Sequence, residues 1–452
     1  MKDFTQGNIT KLILNFTLPM LLGNVFQQLY NIVDSIIVGK VLGKEALASV
    51  GASFPIIFTL IALLIGIGSG FSIVISQYYG AKDINRVKRA IDTMYIFLFT
   101  TGIFISMLGI YFSEELFIIL QLPAELIPQA TAYLNVYMAG MVMFFGFSGT
   151  SSVLRGLGDS KTPLYFLILA SIFNIIFDLL FVMVFKWGIA GAAWATVIAQ
   201  SGAFISAIIY LNRSHNILNF SLFKLVFDKE IFLKSLKIGI PSGLQHTFVA
   251  LGMMALLGIV NTFGTDVIAA YTAAGRIDSL AMLPAMNFSQ AVAAFVGQNL
   301  GANKIDRVRQ GFKVTFIMSN VFCLFMTAII VIFGSHLMKL FTTDANVIAI
   351  GEKYLIIVSS FYLLFSTMFT TNGVLRGAGD TLIPMFITLF ALWIIRIPGA
   401  YFLSSKMGET GIWWSIPLGW SMGSILSYLY YRTGRWKMKS IITTDNQMLT
   451  SK

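Results

Sequence analysis

The stretch "VLRGLGDSKTP" (153–163) returns as "VLRGAGDTLIP" (374–384), 374 − 153 = 221 residues later. Arg, Gly, Gly, Asp and Pro keep their spacing in both copies. The same offset relates "ISQYYGAKDINRVKR" (75–89) to "VGQNLGANKIDRVRQ" (296–310), and Gly43 to Gly264. "GIAGAAWA" (188–195) meets "GETGIWWS" (408–415) at an offset of 220. Blocks held in register over half the chain indicate a tandem duplication of about 220 residues. The repeated phrase itself reads as a short hairpin loop. Glycine allows the tight turn, and proline starts the next helix without losing a needed hydrogen bond. "RGLGDS" is no phosphate loop, because no Lys-Ser/Thr follows it and no strand precedes it.

Composition sets the solvent. Of the 452 residues, 57% are hydrophobic and 11% charged, against roughly 25% charged in a soluble protein. Runs such as "IIFTLIALLIGIGSGFSIVI" (56–75) and "FLILASIFNIIFDLLFVMVF" (166–185) reach the length that crosses a bilayer as a helix. Six apolar segments fall in each copy, near 12–38, 46–79, 91–112, 131–153, 163–185 and 190–211, then 238–260, 267–299, 314–335, 350–374, 384–403 and 411–431. The expected fold is an all-α integral membrane protein of twelve transmembrane helices, arranged as two pseudo-symmetric six-helix lobes. An even number of spans per copy gives both the same orientation, a parallel repeat. The expected division is an N-terminal lobe over 1–211, a cytoplasmic linker over 212–237, a C-terminal lobe over 238–431 and a cytoplasmic tail over 432–452.

The net charge of +11 follows topology. About 23 of the 31 Lys and Arg lie in the termini and alternate loops, the positive-inside pattern. The expected location is the cytoplasmic (inner) membrane, multi-pass, with both termini cytoplasmic and no nucleic-acid partner. A polar start followed by an apolar run containing Pro19, without a small-residue cleavage site, argues against a cleaved signal peptide. Cys323 is the sole cysteine, which excludes an internal disulfide. The three histidines, His215, His246 and His336, are scattered, and no HExxH or GxSxG motif is present. An enzyme is not expected, and no cofactor is implied.

Ionisable side chains inside apolar spans are costly and mark ion or substrate paths. The first copy holds Asp34 and Asp178. Asp34 lies nine residues before Gly43, Asp178 nine before Trp187 and Thr196 nine after it. At 1.5 Å per residue all three sit about 13 Å below the outer surface. Tyr30 and Gln27 share the helix face of Asp34, and Asn174 that of Asp178. Two carboxylates, an amide and a hydroxyl make an all-oxygen set suited to Na+ or a bound proton. The second copy keeps none of them: Ala255, Ile395, Gly399 and Ile416 stand at the matching places. It has its own charges, Arg276, Asp278 and Arg396, which fit either internal ion pairing or a cavity lining. Asn31 and Gln245 join them as candidates for the cavity or its polar network.

"QQLYNIVDSIIVGKVLGKEALASVG" (27–51), "VLRGLGDSKTP", "SIFNIIFDLLFV" (171–182) and "GIAGAAWATVIAQ" (188–200) resemble, in order and spacing, the multidrug and toxic compound extrusion (MATE) family, nearest its MepA-like and DinF-like branch. The resemblance covers essentially the whole chain. It implies a secondary active antiporter that exports amphipathic, often cationic drugs in exchange for H+ or Na+ by alternating access. It also implies a monomer among membrane lipids. In that family the residues matching Asp34, Asn174, Asp178 and Thr196 form the cation-coupling site, so Na+ is a possible ligand there. Some members add a Glu in the seventh span, where this chain has Gln245 and His246 and no acid. A lipid-linked oligosaccharide flippase of the wider superfamily is the alternative, kept by Arg276 and Arg396.

Overall fold

The computed structural model describes residues 2–214 and 224–442. Part of the expected linker and the end of the expected tail, and with them His215, lie outside the described residues. The described chain is helical. It begins with α1 (Ile9–Ile37), a π-helical turn (Val38–Leu42), α2 (Lys44–Gly80), α3 (Ile84–Tyr111), α4 (Ser113–Ile119), α5 (Ile127–Ala139) and α6 (Met141–Gly156). There follow α7 (Lys161–Asp178), a π-helical turn (Leu179–Val184), α8 (Gly188–Ser214), α9 (Lys229–Val260), α10 (Thr265–Gly301), α11 (Ile305–Lys339) and α12 (Ala345–Ser359). The chain then forms α13 (Tyr362–Gly377), α14 (Leu382–Leu389), a π-helical turn (Phe390–Arg396), α15 (Ile397–Met407) and α16 (Glu409–Arg432).

Among the described residues, nine helices are long and apolar enough to span a bilayer. The fourth and tenth expected spans are each broken: α5 and α6 meet at 50°, and α12 and α13 at 49°. Taking each bent pair as one span gives eleven. The last expected span is α16, a continuous 24-residue helix carrying Trp413, Trp414 and Trp420.

The duplication is written in the backbone. Left-handed φ angles occur in matched pairs: Gly43 (91°) with Gly264 (92°), Lys82 (62°) with Asn303 (61°), Gly158 (80°) with Gly379 (89°), and Gly188 (63°) with Gly408 (62°). Residues forced into this region mark tight turns, so the two copies share their turns as well as their helices. The first three pairs are 221 apart and the last 220. Both copies form π-helical turns within the interval where the offset changes, Leu179–Val184 and Phe390–Arg396. A π turn absorbs an extra residue without ending a helix.

The opening phrase now has a physical account. Gly158 N–H donates to the Arg155 carbonyl (3.0 Å) and Asp159 N–H to the Leu154 carbonyl (2.8 Å). In the second copy Gly379 donates to Arg376 (2.8 Å) and Asp380 to Leu375 (2.9 Å). This double closure around a left-handed glycine is a Schellman cap, which satisfies the last carbonyls of α6 and α13. Asp159 then accepts from the Lys161 N–H (3.0 Å) and the Thr162 N–H (3.1 Å), covering orphan donors at the start of α7. The other glycine of each phrase serves packing. A Cβ on Gly156 would stand 2.7 Å from the Ser72 carbonyl, and one on Gly377 2.4 Å from that of Ala293. The two contacts are again 221 residues apart.

The chain divides into two compact units. One comprises Met1–Lys2, Leu18–Tyr79 and Asp83–Lys237; the other Asp3–Thr17, Gly80–Lys82 and Ile238–Lys452. Within the second unit α10 is the central helix, with 72% of its most apolar window buried. Its core gathers Leu256, Ala274, Leu355, Val358, Tyr362 and Trp413. The segment Asp3–Thr17 belongs to this second unit. Phe4 is buried against Phe16 and Phe295. Its N–H donates to Gln298 Oε1 (2.9 Å), and its carbonyl accepts from Asn299 Nδ2 (3.1 Å) and Arg307 Nε (3.0 Å).

Candidate functional site

In the first unit, two interruptions of regular helix bracket the polar residues. Asp34 lies one turn before the π turn that ends the first span, and Asp178 is the last residue of α7, directly before the second π turn. These π turns pack on each other. Such turns leave the α-helical ladder locally irregular and often mark functional positions. Asn174 stands one turn before Asp178, and Thr196 faces Asn174 from α8.

Asp178 and Asn174 are almost fully enclosed, at 0% and 2% exposure. With its nitrogen turned toward Asp178, the Asn174 amide donates to Asp178 Oδ2 at 2.9 Å. Its oxygen then accepts from the Thr196 hydroxyl at 3.2 Å and the Thr196 N–H at 3.1 Å. The reverse orientation keeps only a 3.2 Å contact to Thr196 Oγ1, so the network selects the first. Thr196 also reaches the Ala192 carbonyl at 3.2 Å. The Asp34 carboxyl group stands beside Asp178, and the Tyr30 hydroxyl lies near Thr196.

Two side chains that sequence reasoning missed stand near the cluster. Tyr133 and Tyr137, on α5, lie close enough to act electrostatically with Asp34. Their signal in the sequence is a pair of hydroxyls at i and i+4 within an apolar run, a spacing that puts both on one helix face. Tyrosine is common in membrane proteins, so the pair does not stand out until α5 is packed on α8, the helix of Thr196.

The structure thus brings together Asp34, Asn174, Asp178, Thr196 and Tyr30. Gln27 and Asn31 are exposed on α1, whereas Tyr30 and Asp34 on the same helix are half-buried. In the second unit Gln245 Nε2 donates to Thr388 Oγ1 at 2.7 Å, joining α9 to α14. Arg276 is exposed, whereas Asp278 and Arg396 are both buried.

Chemically, the first-unit cluster is a pair of facing carboxylates, with only amide, hydroxyl and phenol groups among the neighbours described above. Two negative charges in such a place repel each other strongly. A proton or a metal cation between them removes the excess charge. Among the described residues no cluster of three or more His, Cys, Asp or Glu forms a transition-metal cage. The donors are oxygens, which suits a hard cation or a proton.

A profile of the MatE family matches residues 19–180 and, a second time, residues 241–402. The probable multidrug resistance protein YpnP of Bacillus subtilis is 35% identical over 441 residues, covering 98% of this chain and 99% of its own. The probable multidrug resistance protein NorM of Thermotoga maritima is 27% identical over 449 residues, covering 97% of this chain and 95% of its own. Among solved structures, an outward-facing multidrug resistance MATE family transporter of the MOP superfamily superimposes with a TM-score of 0.90 at 25% identity. That superposition covers 97% of this chain and 99% of the other.

Proposed function

We propose, for a chain that belongs to the MatE family of multidrug efflux transporters, that it is a secondary antiporter driven by a cation bound at Asp34 and Asp178. As a multi-pass membrane transporter it catalyses no covalent chemistry. The observation that carries the reading is the facing pair of carboxylates, with Asn174 and Thr196 hydrogen-bonded beside Asp178. The pair accepts H+ or Na+ from outside and releases it inside. Loading rearranges the hydrogen bonds of Asn174, Thr196 and Tyr30 and lowers affinity for the exported compound. Unloading restores that affinity. Mutually exclusive occupancy is sufficient for coupling. One charge moved through about 150 mV supplies roughly 3.5 kcal/mol, enough for a gradient of a few hundred-fold in a neutral substrate.

The substrates are amphipathic, often cationic compounds, in keeping with the multidrug names of the relatives. The chain works as a monomer in the cytoplasmic membrane, with both ends inside and two lobes over 1–211 and 238–431. The test uses purified protein in liposomes loaded with a fluorescent cationic dye, with a pH gradient and a Na+ gradient imposed separately. Efflux driven by at least one gradient is expected, and the gradient that works identifies the ion. Dye efflux indifferent to both gradients would overturn the antiport reading.

A further inference from the structure

The last expected span ends in a basic turn. α16 runs for 24 residues, Glu409–Arg432. At 1.5 Å per residue that is about 36 Å, so Arg432 emerges at the level of the lipid headgroups. No acid occurs between Thr410 and Thr444, whereas Arg432, Arg435, Lys437 and Lys439 fall within eight residues. The chain beyond α16 is fixed in place. Gly434 takes a left-handed φ of 71° and leads into a 3-10 turn, Arg435–Lys439. Trp436 enters the second unit, 1% exposed, among Val296, Val308, Phe312 and Leu375. Its ring stacks on Tyr431 at 5.5 Å, and its Nε1–H donates to the Tyr431 carbonyl at 3.0 Å. With the indole pinned inward, Arg435, Met438 and Lys439 stay outside. Lys437 is half-buried, its ammonium over the Trp436 ring at 5.8 Å.

The outer side of α16 indicates what this turn meets. Ile425, Tyr428, Leu429 and Arg432 stand at i, i+3, i+4 and i+7, one stripe of the helix, and all four are exposed. The stripe is apolar up to Arg432, with Tyr428 one turn before the charge, the order of side chains found where a helix leaves a bilayer. Among the described residues none of the four cations is ion-paired. Asp380, which Tyr430 reaches from the end of α16, is buried and accepts the Tyr430 hydroxyl at 2.6 Å. Basic clusters next to a span attract anionic headgroups, and a turn that is already ordered loses less entropy on binding. A soluble anion would meet the charge but leave the apolar stripe uncovered. A phospholipid covers both with one molecule.

We propose that the end of α16 and the turn pinned by Trp436 form a binding site for one anionic phospholipid, with its chains along Ile425, Tyr428 and Leu429 and its headgroup on Arg432, Arg435 and Lys439. The site is independent of the coupling role of Asp34. Full-length protein in detergent is titrated with phosphatidylglycerol or phosphatidylcholine, and bound lipids are counted by native mass spectrometry. The wild type is expected to hold one phosphatidylglycerol about tenfold more tightly than phosphatidylcholine, the equivalent of one to two basic side chains at a membrane surface. Changing Arg432, Arg435 and Lys439 together to Gln should remove that preference. Changing three exposed cations of the first unit, Lys82, Lys88 and Lys229, to Gln lowers the net charge equally and should leave it intact. Excess glycerol phosphate, which carries the headgroup charge without the chains, should not displace the lipid. A preference that survives in the Arg432, Arg435 and Lys439 variant would overturn the site. Equal loss in both triple variants would show attraction by net charge alone, and displacement by glycerol phosphate would show a site for a soluble anion; either result refutes the lipid site.

Discussion

The chemistry rests on a few side chains in the first unit. Asp34→Asn keeps the shape of the group but removes the charge that a cation would neutralise. We expect it to abolish gradient-driven efflux at matched membrane expression, as read by dye efflux from liposomes; efflux at the wild-type rate would contradict the coupling role. Asp178→Asn should be impaired less severely, because Asn174 and Thr196 still organise the cluster around it. Thr196→Ala removes one neutral oxygen. If Na+ is the driving ion, its apparent affinity should fall about tenfold, the equivalent of one ligand or hydrogen bond. If H+ drives transport, the same change should have a smaller effect. Measuring efflux against Na+ concentration in both proteins decides between these outcomes.

Among the helices, the repeated Arg-Gly-x-Gly-Asp phrase divides its work between two glycines, and each use is testable. A methyl group at Gly377 would be driven into the Ala293 carbonyl, where only backbone movement can relieve it. Gly377→Ala should therefore cost about 1–3 kcal/mol by overpacking, visible as a lower melting temperature in detergent. Gly258, inside α9, has nothing within 4 Å of an added Cβ. Gly258→Ala should be neutral or stabilising by about 0.5–1 kcal/mol, because it only removes backbone freedom from the unfolded chain. Equal melting temperatures for the two variants would refute the close approach of α13 to α10. The bends between α5 and α6 and between α12 and α13 occur at the same place in both copies, which makes them part of the duplicated design.

For the molecule as a whole, the first residues are structural although they stand at the end of the chain. Phe4 fills a pocket formed by Phe16 and Phe295, and hydrogen bonds from Asn299, Lys304 and Arg307 hold its neighbourhood in the second unit. Phe4→Ala should cost about 3–5 kcal/mol and lower the melting temperature well beyond a surface change such as Lys437→Ala. Topology can be read with thiol reagents, because Cys323 is buried and is the only cysteine. In a Cys323→Ser protein, Lys82→Cys or Lys437→Cys should react with a membrane-impermeant maleimide only after cells are opened. Labelling from outside intact cells would reverse the proposed orientation.

What the sequence determined by itself is what repeats or accumulates along it. Long apolar runs settle the membrane class because helix length must match bilayer thickness. The 221-residue offset reveals the duplication, and Asp34 and Asp178 stand out because acids are expensive in such runs. Tertiary structure alone decided which distant groups meet. Tyr133 and Tyr137 join Asp34 from a helix about a hundred residues away, and the chain's first residues pack on α10 nearly three hundred residues later. Asp278 takes the hydroxyls of Tyr354 and Tyr362 from two later helices, whereas Arg276, two residues before it, is exposed. Periodicity reports which face of a helix is apolar, but the rotation and bending that aim a polar side chain at its partner come from packing against other helices.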